Sequence, residues 1–501
     1  MASRPVPKPA PVGGLNARDP LRSMPGGDMI VARNWVVRKY GLDQRKGYAV
    51  RNTGATGGVI AFMRAGDACF VATQTAIWDI TASGAAIPAL SGLTGGRWSW
   101  DTFANGAGVG IIATNGTDGP KYFLNGAWGS IAITGVDGRA LASVCMHGRR
   151  AVFAENGAPH LWYLPLHAIS GEARLINVRP LLQRGGEFAA VASHTTSGGE
   201  NVSAHLYAVT TSGEMVVYAG HDPDNAATWS LVGVFDVPPP VGRDCFCKVG
   251  GQLAYLSRNG LLSVPTLLGK STTKEQDAAL TDKISRAFDE EIADAEDDGD
   301  PYPYTFDSTA WKFDSTSIRF DMDGDAAPGT EETWSVCEAG SEDVLIINRT
   351  RTGGNRQFVL DKGWSEWTGL AATCWLDTGT ELWFGRADGT VCRYTGATDN
   401  GVAIDSYLVE AYQRGSGRSD RQATVLPLFE HPPTYRPRVR FIYDFADPPA
   451  SLTATTQAFQ RNVGQAAAGR GRDAAFCMAI KSARGAVYIG RDSVIESGGN
   501  P

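Results

Sequence analysis

The sequence predicts an all-β chain whose central part is a β-propeller, with a helical insertion and a small C-terminal β-domain joined by an N-terminal arm. Three observations lead to this prediction. The 501 residues include 60 glycines and 13 tryptophans, a combination typical of short strands connected by tight turns. Apolar runs alternate with Gly, Asp and Asn turns from residue 53 to residue 405. Hairpins recur at roughly the 40–50-residue spacing of propeller blades.

The first element is the N-terminal arm, residues 1–52. Frequent Pro and Gly exclude a long helix, yet apolar residues are spaced along the arm as anchors. The candidate assembly residues of the arm are Leu15, Asn16, Arg18, Asp19, Pro20, Trp35 and Tyr40. A segment of this kind cannot build its own core, so it must lie against another surface. That surface is either its own domain or a neighbouring subunit, and the sequence leaves both alternatives open.

The second element is the propeller, residues 53–405. Its clearest hairpin runs from Leu382 to Tyr394 through Asp388 and Gly389, a pair that suits a type I′ turn. The repeat length predicts about six blades, within a range of roughly five to seven. A closed ring of blades hides the edges that an open sheet would expose. Tandem β-sandwiches are the competing architecture.

An acidic insertion interrupts the propeller near residues 270–300. It contains four Lys and Arg against eleven Asp and Glu, and Thr273 with Gln276 fits a helix-capping box. The candidate core residues of this helix recur at four-residue spacing: Ile284, Phe288 and Ile292. The helix is expected either to lie on its own propeller or to face an interface or a lumen.

The last element is a small β-domain, residues 406–501. Prolines bracket the strand candidate from Arg438 to Tyr443, and further strands are expected at 450–458 and 474–480. The net charge of −7 conceals basic ends: residues 1–52 hold ten Lys and Arg against three Asp and Glu, and residues 412–501 hold twelve against seven. Basic ends around an acidic body indicate electrostatic docking of the ends onto acidic neighbours.

No catalytic, cofactor-binding or metal-binding residues are predicted, and the chain is expected not to be an enzyme. The eight cysteines are scattered without a framework or zinc spacing, so free buried thiols are expected. No nucleophile, base and orienting group share a recognisable motif. No apolar run approaches the ~18 residues of a membrane helix. The N-terminus also lacks the apolar core of a secretory signal.

Motifs at both ends of the chain carry a family resemblance. They are Gly13-Gly14-Leu15-Asn16 with Arg18-Asp19-Pro20, Met24-Pro25, Ala32 with Asn34-Trp35, Arg45 with Gly47-Tyr48, Ser406 to Tyr412, Gly415 to Arg418, and Val439 to Asp444. In their order and position they resemble the tail nozzle proteins of short-tailed bacteriophages, also called packaged-DNA stabilisation proteins. The matching parts cover about a quarter of the chain, and none of the motifs is catalytic.

The resemblance implies a structural virion protein located in the tail and assembled in the host cytoplasm. It implies a homo-oligomeric ring, a hexamer, below the portal and head–tail adaptor proteins, with tail fibres or tailspikes as further neighbours. Double-stranded DNA would pass through the ring lumen without sequence-specific binding, and the ring would retain the packaged genome until ejection. The alternatives are a carbohydrate- or protein-binding propeller and, third, a propeller glycosidase.

Overall fold

The computed structural model describes residues 5–198, 201–268, 279–298, 333–350, 355–414, 420–450, 452–466 and 469–497. Strands dominate this part of the chain, and they fall into two regions. One is a ring of small antiparallel sheets. The other is a unit in which strands from both ends of the sequence pair with one another.

The N-terminal segment contributes short strands that bury apolar side chains. They are β1 (Pro5–Pro9), β2 (Gly14–Leu15), β3 (Asp28–Arg33), β4 (Trp35–Val37), β5 (Leu42–Gln44) and β6 (Tyr48–Thr53). The first five join the unit formed by both ends, whereas β6 belongs to the ring. The expected boundary between arm and propeller, at 52/53, therefore falls within β6.

The first four sheets of the ring each contain four antiparallel strands. Sheet 1 comprises β7 (Ala61–Ala65), β8 (Ala68–Ala72), β9 (Ala76–Asp79) and β11 (Ile87–Ser91), with β10 (Gly84–Ala85) pairing to β6. Sheet 2 comprises β12 (Ser99–Asn105), β13 (Gly108–Thr114), β14 (Lys121–Leu124) and β15 (Ala127–Ser130). Sheet 3 comprises β17 (Leu141–His147), β18 (Arg150–Glu155), β19 (His160–Tyr163) and β21 (Arg174–Asn177), flanked by the pair β16 (Ile133–Thr134) and β20 (Gly171–Glu172). Sheet 4 comprises β22 (Phe188–Gly198), β23 (Asn201–Thr210), β24 (Glu214–Gly220) and β25 (Trp229–Asp236).

Three further sheets complete the ring. Sheet 5 comprises β26 (Phe246–Val249), β27 (Gln252–Ser257) and β28 (Gly260–Ser263). Sheet 6 comprises β29 (Thr333–Ala339), β30 (Val344–Thr350), β31 (Arg356–Leu360) and β32 (Trp364–Trp367). Sheet 7 comprises β33 (Ala372–Asp377), β34 (Leu382–Arg386) and β35 (Val391–Tyr394), and β6 is its outer strand. The described residues thus form a propeller of seven blades, at the upper end of the expected range.

The ring closes because its first and last blades share strands and a core. β6, which precedes blade 1 in sequence, pairs with β35 of blade 7. The Thr373 hydroxyl donates to the Val59 carbonyl at 2.6 Å, and Arg64 donates to the Thr378 carbonyl at 2.7 Å. Phe62 and other blade 1 residues pack with blade 7 residues in one buried cluster. Closure of this kind covers the sheet edges that an open array would expose.

The second region, called here the two-ended unit, consists of β1–β5 and the strands that follow the propeller. These are β36 (Thr398–Asp399), β37 (Val402–Glu410), β38 (Gln413–Arg414), β39 (Asp420–His431), β40 (Arg438–Tyr443), β41 (Gln465–Ala466), β42 (Asp473–Ser482) and β43 (Val487–Ser497). One sheet has the order β4-β5-β43-β39-β41, with β1 also on β43. The other has the order β3-β37-β42-β40 and continues into blade 6 through the parallel pair β3–β32. A buried core fills the space between the two sheets and also includes residues of blades 5 and 6. The expected boundary at 405/406 falls within β37.

Two α-helices occur in the described residues: α1 (Val264–Leu268) and α2 (Ser285–Asp298). A 3-10 turn, Asp282–Ile284, leads into α2. The predicted insertion helix therefore has a counterpart in α2, whereas its proposed capping box, Thr273 with Gln276, lies outside the described residues. No helix among these residues combines the length and apolar character needed to cross a membrane.

Candidate functional site: the arm and the insertion helix

Two apolar anchors of the arm, Leu15 and Trp35, pack into the core of their own chain. Leu15 is 7% exposed and Trp35 is fully buried, and both belong to the core of the two-ended unit. The Trp35 carbonyl accepts a hydrogen bond from the Trp367 indole at 3.1 Å, which ties β4 to blade 6. The Trp35 and Tyr488 rings lie 6.5 Å apart. Of the two alternatives for the arm, packing on its own chain holds for Leu15 and Trp35.

Asn16 organises the turn that follows Leu15. Its side-chain carbonyl accepts from the backbone N–H groups of Arg18 and Asp19, at 3.1 and 3.0 Å. Its amide donates to Asp19 at 2.9 Å and to Asp28 at 2.8 Å. Hydrogen bonds from Arg18 and Asn16 lower the pKa of Asp19. Asn and Asp are favoured in such turns because their side chains can replace backbone partners, which explains the Asn-x-Arg-Asp pattern physically.

This turn contacts the segment that leads into the insertion helix. The Ala17 N–H donates to the Lys283 carbonyl at 2.9 Å, and Arg18 pairs with Asp282. The Lys283 ammonium donates to the Gly13 carbonyl and to buried Asp28, both at 2.8 Å. The basic arm and the acidic insertion, predicted separately, therefore contact each other inside one chain.

A glycine is required where the arm passes blade 6. Gly14 has a φ of +83°, and a Cβ there would lie 2.6 Å from the Trp364 nitrogen. Left-handed backbone and a close approach both favour glycine at this position. The Gly-Gly pair of the sequence motif thus lets the arm cross directly over β32.

The two remaining candidate residues of the arm, Pro20 and Tyr40, are on the surface. Pro20 is exposed, and its carbonyl accepts from the Ser23 N–H at 2.9 Å. Tyr40 is 58% exposed, and its hydroxyl donates to Asp43 at 2.7 Å. This hydrogen bond, together with burial, raises the pKa of Tyr40 to about 12. Tyr40 differs from Leu15 and Trp35 in leaving its ring accessible to another molecule.

The candidate core residues of the insertion share one face of the helix. Ile284 and Phe288 are buried, and Ile292 packs against the same cluster while partly exposed. The Phe288 ring lies 4.9 Å from the Trp334 ring of β29. The helix thus lies on blade 6 of its own propeller, one of the two placements considered from the sequence.

Glu291 is a residue that the sequence reasoning missed. It is 1% exposed and bridges Arg349 on β30 and Arg356 on β31, and Arg356 also pairs with Glu366 on β32 at 2.9 Å. Breaking a buried ion pair of this kind is strongly destabilising because the partner charge is left in the interior. Its position could have been noticed in the sequence, because Glu291 follows Ile284 by seven residues and Phe288 by three and so lies on the apolar face of the predicted helix.

A second buried arginine joins the arm to β36, the strand that follows blade 7. Arg45 is 1% exposed and makes a bidentate pair with Asp399 at 2.8 and 2.7 Å. Its Nε donates to the Asn34 side chain at 2.9 Å, and Asn34 has a φ of +60°. The motif residues Asn34 and Arg45 therefore form one bridge between β3, the blade 7 region and β36.

The two sheets of the two-ended unit are also linked by a buried charge pair. Arg491 on β43 donates to Glu410 on β37 at 2.6 Å, with side chains 6% and 3% exposed. Burial raises the pKa of Glu410 although Arg491 opposes this shift. The Arg491 guanidinium also lies 4.6 Å from the centre of the Phe476 ring.

The segment before blade 5 crosses one mouth of the propeller. Asp244 lies 3.3 Å from Arg97, which precedes blade 2, and Arg243 donates to Asn156 of blade 3 at 2.7 Å. In a ring of seven blades, blades 2 and 5 lie on opposite sides of the axis. The propeller's own channel is therefore bridged at this mouth.

The pair most similar to a catalytic dyad is His147 with Ser193. The Ser193 hydroxyl lies 2.9 Å from His147 Nδ1, and the Gly220 carbonyl lies 2.7 Å from Nε2. Burial lowers the pKa of His147, which is 1% exposed and packs against Trp229. A carbonyl occupies the place where catalytic triads have a carboxylate. The pair links blades 3 and 4 in the interior.

The next question is whether the described residues contain a metal site or a reactive thiol. No group of three or more His, Cys, Asp or Glu side chains there could hold a metal ion. All eight cysteines are free, and burial raises the pKa of each one. Raised pKa values keep thiols protonated and unreactive at neutral pH.

Comparisons with known proteins give only distant likenesses. No family model and no curated protein matches the sequence. The BBS1N structure, solved in complex with ARL6DN, is 10% identical with a TM-score of 0.39, and the match covers 71% of this chain and 99% of that one. The β-propeller domain of Myceliophteria thermophila Cps50 (Swd1) is 11% identical with a TM-score of 0.38, covering 70% and 99%. An exo-β-1,3-galactanase from Phanerochaete chrysosporium is 8% identical with a TM-score of 0.24, covering 70% and 94%. The propeller fold itself follows from the strand pairings described above.

Proposed function

We propose that the chain is a structural subunit of a short-tailed bacteriophage tail, one protomer of a hexameric nozzle ring. The ring extends the DNA channel below the portal and adaptor proteins and retains the packaged genome until ejection. It is assembled in the host cytoplasm, and tail fibres or tailspikes are its further neighbours. Its role is mechanical, without catalysis.

One observation carries this proposal: most of the segments with the nozzle resemblance come together, whereas Gly415 to Arg418 lie outside the described residues. Ala32 of β3 pairs with Leu408 of β37, and Arg33 pairs with Tyr407. β37 in turn pairs with β42, which carries β40. Motifs from opposite ends of the sequence thus meet in one unit beside the propeller. A unit built from these motifs supports a common structural role for them.

The bridged mouth of the propeller supports a DNA path between protomers. Arg97, Arg243 and Asp244 cross the axis of the single chain, so duplex DNA would pass through the lumen of the ring instead. A strongly basic lining would grip phosphate, because each neutralised phosphate adds salt-dependent affinity. The acidic balance of the chain outside its basic ends suits a lumen that lets DNA slide.

If the arm contacts a neighbouring subunit, it does so through the exposed residues of the arm. Leu15, Asn16 and Trp35 are committed to their own chain, whereas Arg18, Pro20 and Tyr40 are at the surface. Deleting residues 1–24 would remove β1 and β2 from the two-ended unit, so a deletion would not separate folding from assembly. Point substitutions at exposed positions do.

Negative-stain microscopy of the purified full-length protein tests the proposal. Rings with a central hole are expected, and Tyr40→Ala is expected to reduce their number without changing the unfolding temperature. Val109→Ala serves as a matched control, since Val109 is similarly exposed, at 57%, on a blade hairpin. Lone discs at every protein concentration would contradict the ring and favour a ligand-binding propeller.

A further inference from the structure

We propose that the outer edge of β40 is a docking site for an extended acidic segment of a partner protein, which adds to the sheet as a further strand. The site lies on the two-ended unit and does not depend on the nozzle proposal. In strand addition, main-chain hydrogen bonds provide affinity and alternate side chains provide specificity.

The first argument is that β40 itself has an unused backbone edge, which begins where the pairing of residues 434–436 with residues 457–459 ends. Among the described strands, β40 pairs only with β42, and Arg440 lies opposite Cys477. The Asp473 carbonyl of β42 accepts from the Asp444 N–H at 2.8 Å, so odd-numbered residues of β42 face β40. Their partners on β40 are the even-numbered residues, because each pair exchanges hydrogen bonds across an antiparallel ladder.

The backbone groups of Val439 and Phe441 consequently point away from β42. Within the described part of the chain, neither residue has a hydrogen-bond partner on that side. Such a row of donors and acceptors is a template for another strand.

The edge strand β1 of the other sheet provides a contrast, because its outer edge is closed by prolines. The Ala10 N–H donates to the Ile489 carbonyl at 3.1 Å, so even-numbered residues near β1 face β43. Pro5, Pro7 and Pro9 therefore face outward, and proline has no N–H to offer. The β1 edge cannot donate to an added strand, whereas the β40 edge can.

The second argument is the shape of the surface beside β40. A groove of about 640 Å³ runs along the strand, and its apolar lining includes Phe441, Pro449, Leu452 and Ala466. This volume lies within the range of roughly 300–1,000 Å³ that is usual for ligand sites. The groove is large enough for several residues of extended chain.

The third argument is charge. Arg438 and Arg440 are exposed and alternate along β40, so their side chains share one face of the sheet. Residues of an added strand opposite them would be stabilised by Asp or Glu. Two β40 strands pairing with each other would bring arginines together, which disfavours a second copy. Asp447 also lines the groove and would repel a nearby carboxylate. Acidic residues of the added strand are therefore expected only opposite the two arginines.

The expected ligand is therefore a strand that alternates acidic and apolar residues. The probe is a fluorescein-labelled peptide of alternating Asp and Val, titrated into the full-length protein and followed by fluorescence anisotropy. A peptide of alternating Lys and Val and a scrambled Asp/Val peptide are the comparisons. Saturable binding of the alternating acidic peptide alone is expected, weakening as salt rises.

Two sets of variants separate strand addition from simple charge attraction. Val439→Pro removes an outward N–H without touching the β42 ladder and should weaken binding roughly tenfold relative to Val439→Ala, since it removes one hydrogen bond. Arg438→Glu combined with Arg440→Glu should transfer the preference to the Lys/Val peptide, and it keeps the test valid if Val439→Pro does not fold.

Three outcomes would overturn the proposal. They are no binding of the alternating peptide, equal binding of the scrambled peptide, and equal affinities of Val439→Pro and Val439→Ala. Dimerisation of the protein through β40 would assign the edge to a second copy instead and would also contradict it.

Discussion

The propeller and the two-ended unit are both built from antiparallel strands, but they reach that state differently. The blades pair strands that follow one another in sequence, as in β12 to β15, with β6 in blade 7 as the exception. The two-ended unit pairs β3 with β37 and β1 with β43, strands from opposite ends of the chain. The blades are held mainly by apolar clusters between neighbours, whereas the two-ended unit and its contacts with the blades contain the buried bridges of Arg45 and Arg491. Local pairing thus relies on packing, and distant pairing adds specific charge bridges.

The largest expected effect tests whether the two regions unfold separately. Trp35→Ala should lower the free energy of unfolding by about 3–5 kcal/mol, as should Phe153→Ala in blade 3, because each removes a fully buried ring. Hydrogen exchange should then locate the loss of protection in β37–β43 for the first variant and in blades 2–4 for the second. Identical exchange patterns in both variants would mean that the chain unfolds as one unit.

A smaller effect is expected at the contact between the regions. Phe288→Ala should cost about 3 kcal/mol, at the lower end of the range for buried aromatic residues, because a helix packed on one face can shift to fill part of the cavity. Chemical denaturation of the full-length protein measures it. Ala287→Gly, next in sequence on α2, is the control for lost helix propensity, at about 1 kcal/mol. Equal losses in the two variants would mean that the Phe288 ring does not anchor the helix.

The smallest expected effect is a difference between the propeller and the two-ended unit in how their stability depends on pH. Burial would raise the pKa of Asp118 in blade 2, but hydrogen bonds from Thr94, Asn115 and Gly95 outweigh it and lower the pKa. This contribution is present above the pKa of the unfolded chain, near 3.8, and is lost as pH falls through the lower folded value. Asp118→Asn should therefore cost about 1 kcal/mol at pH 7 and progressively less in acid.

Glu410 in the two-ended unit should show the opposite sign. Its pKa is raised from 4.5 by burial, so its proton-linked contribution is present below that value and is lost as pH rises through the folded pKa. Comparing wild type, Asp118→Asn and Glu410→Gln by thermal unfolding between pH 3 and pH 7 checks both signs. Parallel pH profiles for the two variants would contradict the contrast.

The sequence predicted the features that depend on neighbouring residues. The hairpin predicted at Asp388 and Gly389 connects β34 with β35, but its turn is not the expected type I′, because only Gly389 has a positive φ, +81°. The Gly389 N–H instead donates to the Arg386 carbonyl at 3.1 Å, so the glycine follows the turn. The four-residue spacing likewise identified the buried side of the insertion, where Ile284 of the 3-10 turn and Phe288 of α2 are both buried. In both cases the determining interactions lie within one or two turns of chain.

Contacts between distant segments were not predictable in the same way. Nothing near Arg45 in the sequence indicates Asp399 as its partner, and Glu291 resembles its exposed neighbour Glu290 until β30 is placed beside it. Tyr40 was grouped with Leu15 and Trp35 because all three are large, yet only the latter two enter the core. Single-residue character does not determine which long-range partner a side chain meets.

The closure of the ring by β6 has a consequence for synthesis. β6 leaves the ribosome before any blade has been made. Its partner β35 belongs to blade 7 and is made only after all the strands of blades 1 to 6. Translation proceeds at roughly 5–20 residues per second, so β6 must wait tens of seconds for its neighbour. During that interval the nascent chain can complete blades one after another while the ring stays open, and closure is a late, long-range step of the kind that limits folding rates. A chain that stops before blade 7 would leave β6 and the inner face of blade 1 without their native cover.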